Sequence, residues 1–181
     1  MATEDAVRAE SDARTASAAE LADRLVSQAR EAAAIFTQYR QNEVDRIVDA
    51  AAKAGAARRI ELARMAVEET GMGVFEDKVI KNLFATEYVY NDIRDVKTVG
   101  LVRDCPETGV IEFAEPLGVV LAVIPVTNPT STTMFKSLIS LKTRNAVIVS
   151  ASRNALRCTV EAAKTMYQAA LEAGAPDYVI R

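Results

Sequence analysis

The feature that most constrains this chain is a continuous apolar run, L-G-V-V-L-A-V-I-P (Leu117–Pro125), answered by a second, A-V-I-V-S (Ala146–Ser150). A strand with one wet face alternates apolar and polar residues. A continuous run instead marks a strand buried on both faces, as in a parallel sheet covered by helices. The first run is far shorter than the roughly 20 residues that span a bilayer. Thr130–Leu141 between the runs reads as a helix, Asn154–Ala173 as a second, and Tyr178–Ile180 opens a third strand after Gly174-Ala175-Pro176. Strand, helix, strand, helix, strand is the grammar of an open parallel sheet, and it predicts a partial Rossmann-like unit over 117–181. A third strand that has only begun at Arg181 points to a domain that needs more chain.

Upstream the period changes. Residues 1–16 are small and charged and read as a mobile tail, after which Ser17-Ala18-Ala19-Glu20 fits a capping box that starts a helix. Leu21, Leu25, Ala29 and Ala32 recur at helical spacing. So do Val44, Ile47, Val48 and Ala51, in a segment that stops at Gly55, and Ile60, Ala63 and Val67, in one that ends at Gly71. A fourth segment, Glu76–Asp95, places Val79, Ile80, Leu83, Phe84 and Tyr88 on one side. Residues 17–96 are therefore read as amphipathic helices. Val99–Val102 and Gly109–Ala114 are short β runs joined by D-C-P-E-T-G, which predicts a hairpin within 97–116.

Composition narrows the chemistry. Half the residues are hydrophobic and the formal charge is −3, with acids and bases interleaved, so neither a nucleic-acid surface nor a disordered chain is indicated. The N-terminus lacks a signal-type apolar region, which reads as cytoplasmic. There is no histidine, so the chain cannot hold a Ser-His-Asp or Cys-His pair or a histidine-bound zinc. The two cysteines, Cys105 and Cys158, are too few for a thiolate zinc site. Cys158 falls within the second crossover helix and Cys105 in the hairpin loop, neither with an activating neighbour in sequence.

Ligands of open parallel sheets bind beyond the carboxyl ends of the strands, and Val126–Ser131 is such a loop, within V-I-P-V-T-N-P-T-S-T-T (Val123–Thr133). Pro125 and Pro129 stiffen the turn around Asn128. Its hydroxyls and amide either cap the following helix or face a ligand. No G-x-G-x-x-G follows the strand, and Gly71-Met72-Gly73 reads as a helix C-cap.

P-V-T-N-P-T-S-T-T-M-F-K-S-L-I-S-L-K-T-R-N-A-V-I-V-S closely resembles the aldehyde dehydrogenase half of the bifunctional aldehyde-alcohol dehydrogenases and the CoA-acylating acetaldehyde dehydrogenases. F-T-Q, N-E-V-D-R-I-V, M-A-V-E-E-T-G-M-G-V-F-E-D-K-V-I-K-N and A-E-P-L-G-V-V extend the likeness in order from about Leu21 onward. The resemblance implies a truncated aldehyde dehydrogenase fold and an NAD-dependent reaction. In it a cysteine thiolate adds to an aldehyde, hydride leaves for the nicotinamide, and coenzyme A takes the acyl group. It implies that Asn128 holds the oxyanion, and that Ser150 and the backbone of Ile124, Pro125, Val126 and Thr127 meet the cofactor. The family's nucleophilic cysteine lies beyond the match, and the complete enzyme is implied to be a homo-oligomer. Where acylating members continue S-P-H-P, this chain reads Ser150-Ala151-Ser152-Arg153. That departure, with the early end, also admits a non-catalytic nucleotide-binding or interaction module.

Overall fold

The computed structural model describes residues 2–181, with side chains described from Thr15 onward. Helix α1 runs Ala2–Phe36, α2 Gln41–Ala57, α3 Arg59–Thr70 and α4 Phe75–Leu83. One π-helical turn, Phe84–Tyr88, then leads into α5, Val89–Ile93. Residues 1–16, expected as a mobile tail, are thus helical from Ala2, and the Ser17–Glu20 box lies inside α1. Alanine, glutamate and arginine dominate that stretch, with no glycine or proline to break it.

A second correction concerns Gly55. It does not end α2 but sits two residues inside it, where an added Cβ would lie 2.8 Å from Thr86 Cγ2 and 3.0 Å from Met166 Sδ. Its role is close helix packing. Gly71, with φ of 64°, is the left-handed C-cap of α3, as the sequence predicts.

Strands β1 (Gly100–Cys105) and β2 (Val110–Ala114) pair antiparallel, giving the expected hairpin. β3 (Val119–Val123) pairs parallel with β4 (Ala146–Ser150), in register from Val119 opposite Ala146 to Val123 opposite Ser150. Helix α6 (Pro129–Lys142) crosses between them, and a 3-10 turn at Arg153–Ala155 opens α7 (Leu156–Glu172). The third strand is present as a single parallel bridge, Val147 to Ile180. The architecture is the α/β, partly Rossmann-like one expected.

The core lies where α2, α6 and α7 meet the β3–β4 sheet. Val44, Ile47 and Val48, Met134, Leu138 and Leu141, and Val147 and Met166 are all fully or almost fully buried there. Ala29, Ala32 and Phe36 bring α1 onto the same sheet. The expectation that β3 is buried on both faces is corrected. Ala122 is buried, but Leu121 and Val123 are 64% and 62% exposed, because β3 is an edge strand of the described sheet and these two side chains are left largely uncovered by the described residues.

Candidate active site

The site is built on the loop that joins β3 to α6. Pro129 is the first residue of α6, where its missing N–H would have been unpaired anyway, and Asn128 is the N-cap residue. The Asn128 side chain does not cap the helix. Its Oδ1 accepts from the Lys81 ammonium at 3.2 Å, while its Nδ2 reaches Thr127 Oγ1 only weakly, at 3.4 Å. An amide nitrogen carries two hydrogens, so donor capacity is left over. It is left at a cleft of about 520 Å³ that Asn128 lines together with Ile80, Phe84, Ser131, Thr132 and Phe135.

Helix α4 braces this loop with an unusual inward face. Lys78 is 5% exposed and donates to the Thr127 carbonyl at 2.8 Å. Asn82, 1% exposed, donates to the Arg59 carbonyl at 2.9 Å and accepts from the Thr130 hydroxyl at 2.8 Å. Lys78, Lys81 and Asn82 stand at i, i+3 and i+4, so one helical face meets Thr127, Asn128 and Thr130. Burial first, and then the charge of Lys81, pushes the Lys78 ammonium below its ordinary value, against an opposing influence from Cys158. The expected inner face of this segment is overturned. Ile80, Phe84 and Tyr88 are outward and exposed, and the polar residues go in because the loop supplies their partners.

The hydroxyls of the loop are likewise not caps. Thr130 bonds to Asn82, Thr133 bonds back to the Pro129 carbonyl at 2.8 Å, and Ser131 and Thr132 line the cleft.

The residues implied for cofactor contact divide into two groups. Ile124 is buried and its N–H is already given to the Ser150 carbonyl at 2.9 Å, which holds the ends of β3 and β4 together. Val126 packs inward against Ala66, Ala155 and Cys158. Pro125, Thr127 and Ser150 remain exposed. Beside the end of β4, Val149, Ala151, Leu156, Val160, Ala163 and Ile180 form the apolar wall of a second cleft of about 560 Å³, which has the size and surface to take a flat heteroaromatic ring.

Neither cysteine fits a nucleophile. Burial, and then hydrogen bonding to Glu69, pushes the Cys158 thiol up to about 12, so it stays protonated at neutral pH. Cys105 ends the first strand of the hairpin, where its carbonyl accepts the turn's N–H groups. Among the described residues no group of three or more Cys, Asp or Glu could hold a metal ion, and no helix is long and apolar enough to cross a membrane.

Sequence reasoning singled out Asn128 but not the residues that bond to its loop. Lys78, Lys81 and Asn82 lie in the quoted K-V-I-K-N, but an amphipathic reading assigns such residues to solvent. The available signal was their spacing on one helical face.

Comparison with known proteins places this geometry. The model of the aldehyde dehydrogenase family matches residues 6–181. The aldehyde-alcohol dehydrogenase of Clostridium acetobutylicum is 54% identical over 151 residues, covering 83% of this chain and 18% of that protein. The crystal structure of an acetylating aldehyde dehydrogenase from Geobacillus thermoglucosidasius superposes with a TM-score of 0.86 at 48% identity, over 88% of this chain and 35% of that one. The propionaldehyde dehydrogenase of Rhodopseudomonas palustris, solved with bound CoA and an acylated cysteine, gives a TM-score of 0.75 at 28% identity, over 87% of this chain and 36% of that one. The chain therefore spans about a third of these solved relatives and under a fifth of the aldehyde-alcohol dehydrogenase.

Proposed function

The chain belongs to the aldehyde dehydrogenase family, and from that premise we propose that it supplies the oxyanion loop and the first strands of the cofactor sheet to an NAD-dependent, CoA-acylating aldehyde dehydrogenase. The reaction is aldehyde, CoA and NAD to acyl-CoA and NADH, with acetaldehyde as the substrate and the nucleophilic cysteine outside these residues. When bound, the nicotinamide supplies the hydride acceptor.

The observation that carries this reading is the Asn128 amide. When a thiolate adds to the aldehyde carbonyl, negative charge gathers on the substrate oxygen. An N–H fixed in advance beside that oxygen stabilises it without reorganising. Asn128 is suited to this because the helix it begins does not use its side chain, while Lys81 holds its oxygen and the prolines hold its backbone. The apolar walls of the cleft, Ile80, Phe84 and Phe135, suit a small uncharged aldehyde.

For the cofactor, the residues fit in kind. The exposed Thr127 and Ser150 offer hydroxyls at the carboxyl ends of β3 and β4, and the apolar cleft at Val149 and Ala151 offers a wall for a ring. Ile124 and Val126 contribute by shaping the turn, since one is hydrogen-bonded within the sheet and the other packs inward.

The test is Asn128→Ala in the complete enzyme, assayed as CoA-dependent NADH formation from acetaldehyde. The expected result is a fall in kcat of about 10²-fold or more, the usual effect of removing one oxyanion donor. An unchanged kcat would remove Asn128 from the chemistry.

A further inference from the structure

We infer that Lys81 is a positioning residue for the oxyanion donor: its ammonium fixes which end of the Asn128 amide faces the substrate. The inference rests on the reading of Asn128 given above. An asparagine amide has a donor end and an acceptor end of nearly the same shape, and a half-turn about its terminal torsion exchanges them. Only the donor end serves an oxyanion; the carbonyl end would repel it. An ammonium has three donors and no acceptor, so whatever amide atom sits against it must be the oxygen. Lys81 Nζ stands 3.2 Å from Asn128 Oδ1, which leaves Nδ2, bonded only weakly to Thr127, with donor capacity to spare at the cleft that Lys81 and Asn128 both line. The Thr127 hydroxyl could not set this choice, because a hydroxyl both donates and accepts and lies 3.4 Å away.

The fold places Lys81 accurately for this task. One turn earlier on α4, Lys78 anchors the Thr127 carbonyl at 2.8 Å, and on the next position Asn82 anchors Thr130 at 2.8 Å. The loop on either side of Asn128 is therefore tied to the same helix that carries Lys81. Lys81 itself is exposed, so truncating it leaves the core intact.

The experiment compares Lys81→Met, Lys81→Arg, Asn128→Ala and the Lys81→Met/Asn128→Ala double variant in the full-length enzyme with acetaldehyde, CoA and NAD. Lys81→Met is expected to lower kcat about tenfold, part of the loss from removing the donor outright. Its KM for NAD and its thermal midpoint should stay at parental values, and Lys81→Arg should restore most of kcat. In the Asn128→Ala background, Lys81→Met should cost nothing further, because a residue acting through Asn128 has nothing left to position. Parental kcat in Lys81→Met beside an impaired Asn128→Ala overturns the inference alone. So does a full additional loss in the double variant, which would mean that Lys81 acts on the substrate itself. Parental kcat in Asn128→Ala overturns the oxyanion reading and the positioning role together.

Discussion

The loops that follow β3 and β4 sit side by side at the same edge of one sheet, yet they are built in opposite ways. The loop after β3 is braced at Thr127, Asn128 and Thr130 by three residues of α4, two of them almost wholly buried. The start of the loop after β4 is held to β3 by the backbone bond from Ile124 to Ser150, and the exposed Ser150 hydroxyl has no partner among the described residues. Buried polar groups are costly unless paired, so the bonds from α4 favour the observed conformation of the first loop over alternatives that would break them. The second leaves its hydroxyl for a ligand. The contrast matches the two tasks proposed: a donor aimed at developing charge gains from being fixed in advance, whereas a cofactor contact can form on binding.

Three substitutions sharpen this comparison. Asn82→Ala strikes the braced loop hardest. It strands the buried Thr130 hydroxyl and removes a second bond from the Arg59 carbonyl, and chemical denaturation should show a loss of about 1–3 kcal/mol, with kcat falling alongside. A loss under about 0.5 kcal/mol would mean that the brace is not rigid.

Glu69→Gln probes the far side of the second loop. The Glu69 carboxylate accepts the N–H of Arg157 at 2.8 Å and of Cys158 at 2.7 Å, at the start of α7. The two N–H groups go to different carboxylate oxygens, and in the amide one of these becomes an NH2 that cannot accept, so the expected cost is about 1–2 kcal/mol at neutral pH. Burial raises the Glu69 carboxyl, but the two backbone N–H groups outweigh it and set it below its ordinary value of 4.5. A lowered carboxyl contributes stability that is fully present above 4.5 and is lost as pH falls through the folded value. The gap between parent and Glu69→Gln should therefore close in acid, as urea midpoints measured from pH 7 downward will show.

Ser150→Ala should do least, changing stability by less than about 0.5 kcal/mol because the hydroxyl has no partner among the described residues. Its effect belongs to the dissociation constant of NAD, expected to rise a few-fold. A stability loss as large as that of Asn82→Ala would erase the distinction between the two loops.

Much of this molecule was legible in its sequence. The continuous runs at Leu117 and Ala146 declare a parallel pair, and the span Ala146–Ser150 matches β4 to the residue. Asn128 could be singled out because two prolines and a strand end frame it. What escaped was whatever depends on long-range partners. Ile80 and Phe84 look like core residues and are exposed, while Lys78 and Asn82 look like surface residues and are buried. Only the arrival of a loop some fifty residues later makes the polar face the inner one. Gly55 misled for a similar reason. Glycine ends many helices, but here the contact that demands it comes from Thr86 and Met166 on other elements.

The central claim is that Asn128 acts on the reacting oxygen, and steady-state kcat reads it only if chemistry limits turnover. The more direct measurement is the NADH burst of the complete Asn128→Ala enzyme, mixed rapidly with acetaldehyde and saturating NAD in the absence of CoA, where a single turnover reports formation of the acyl-enzyme alone. The burst rate is expected to fall about 10²-fold with NAD binding unchanged. A burst as fast as that of the parent enzyme would contradict the claim.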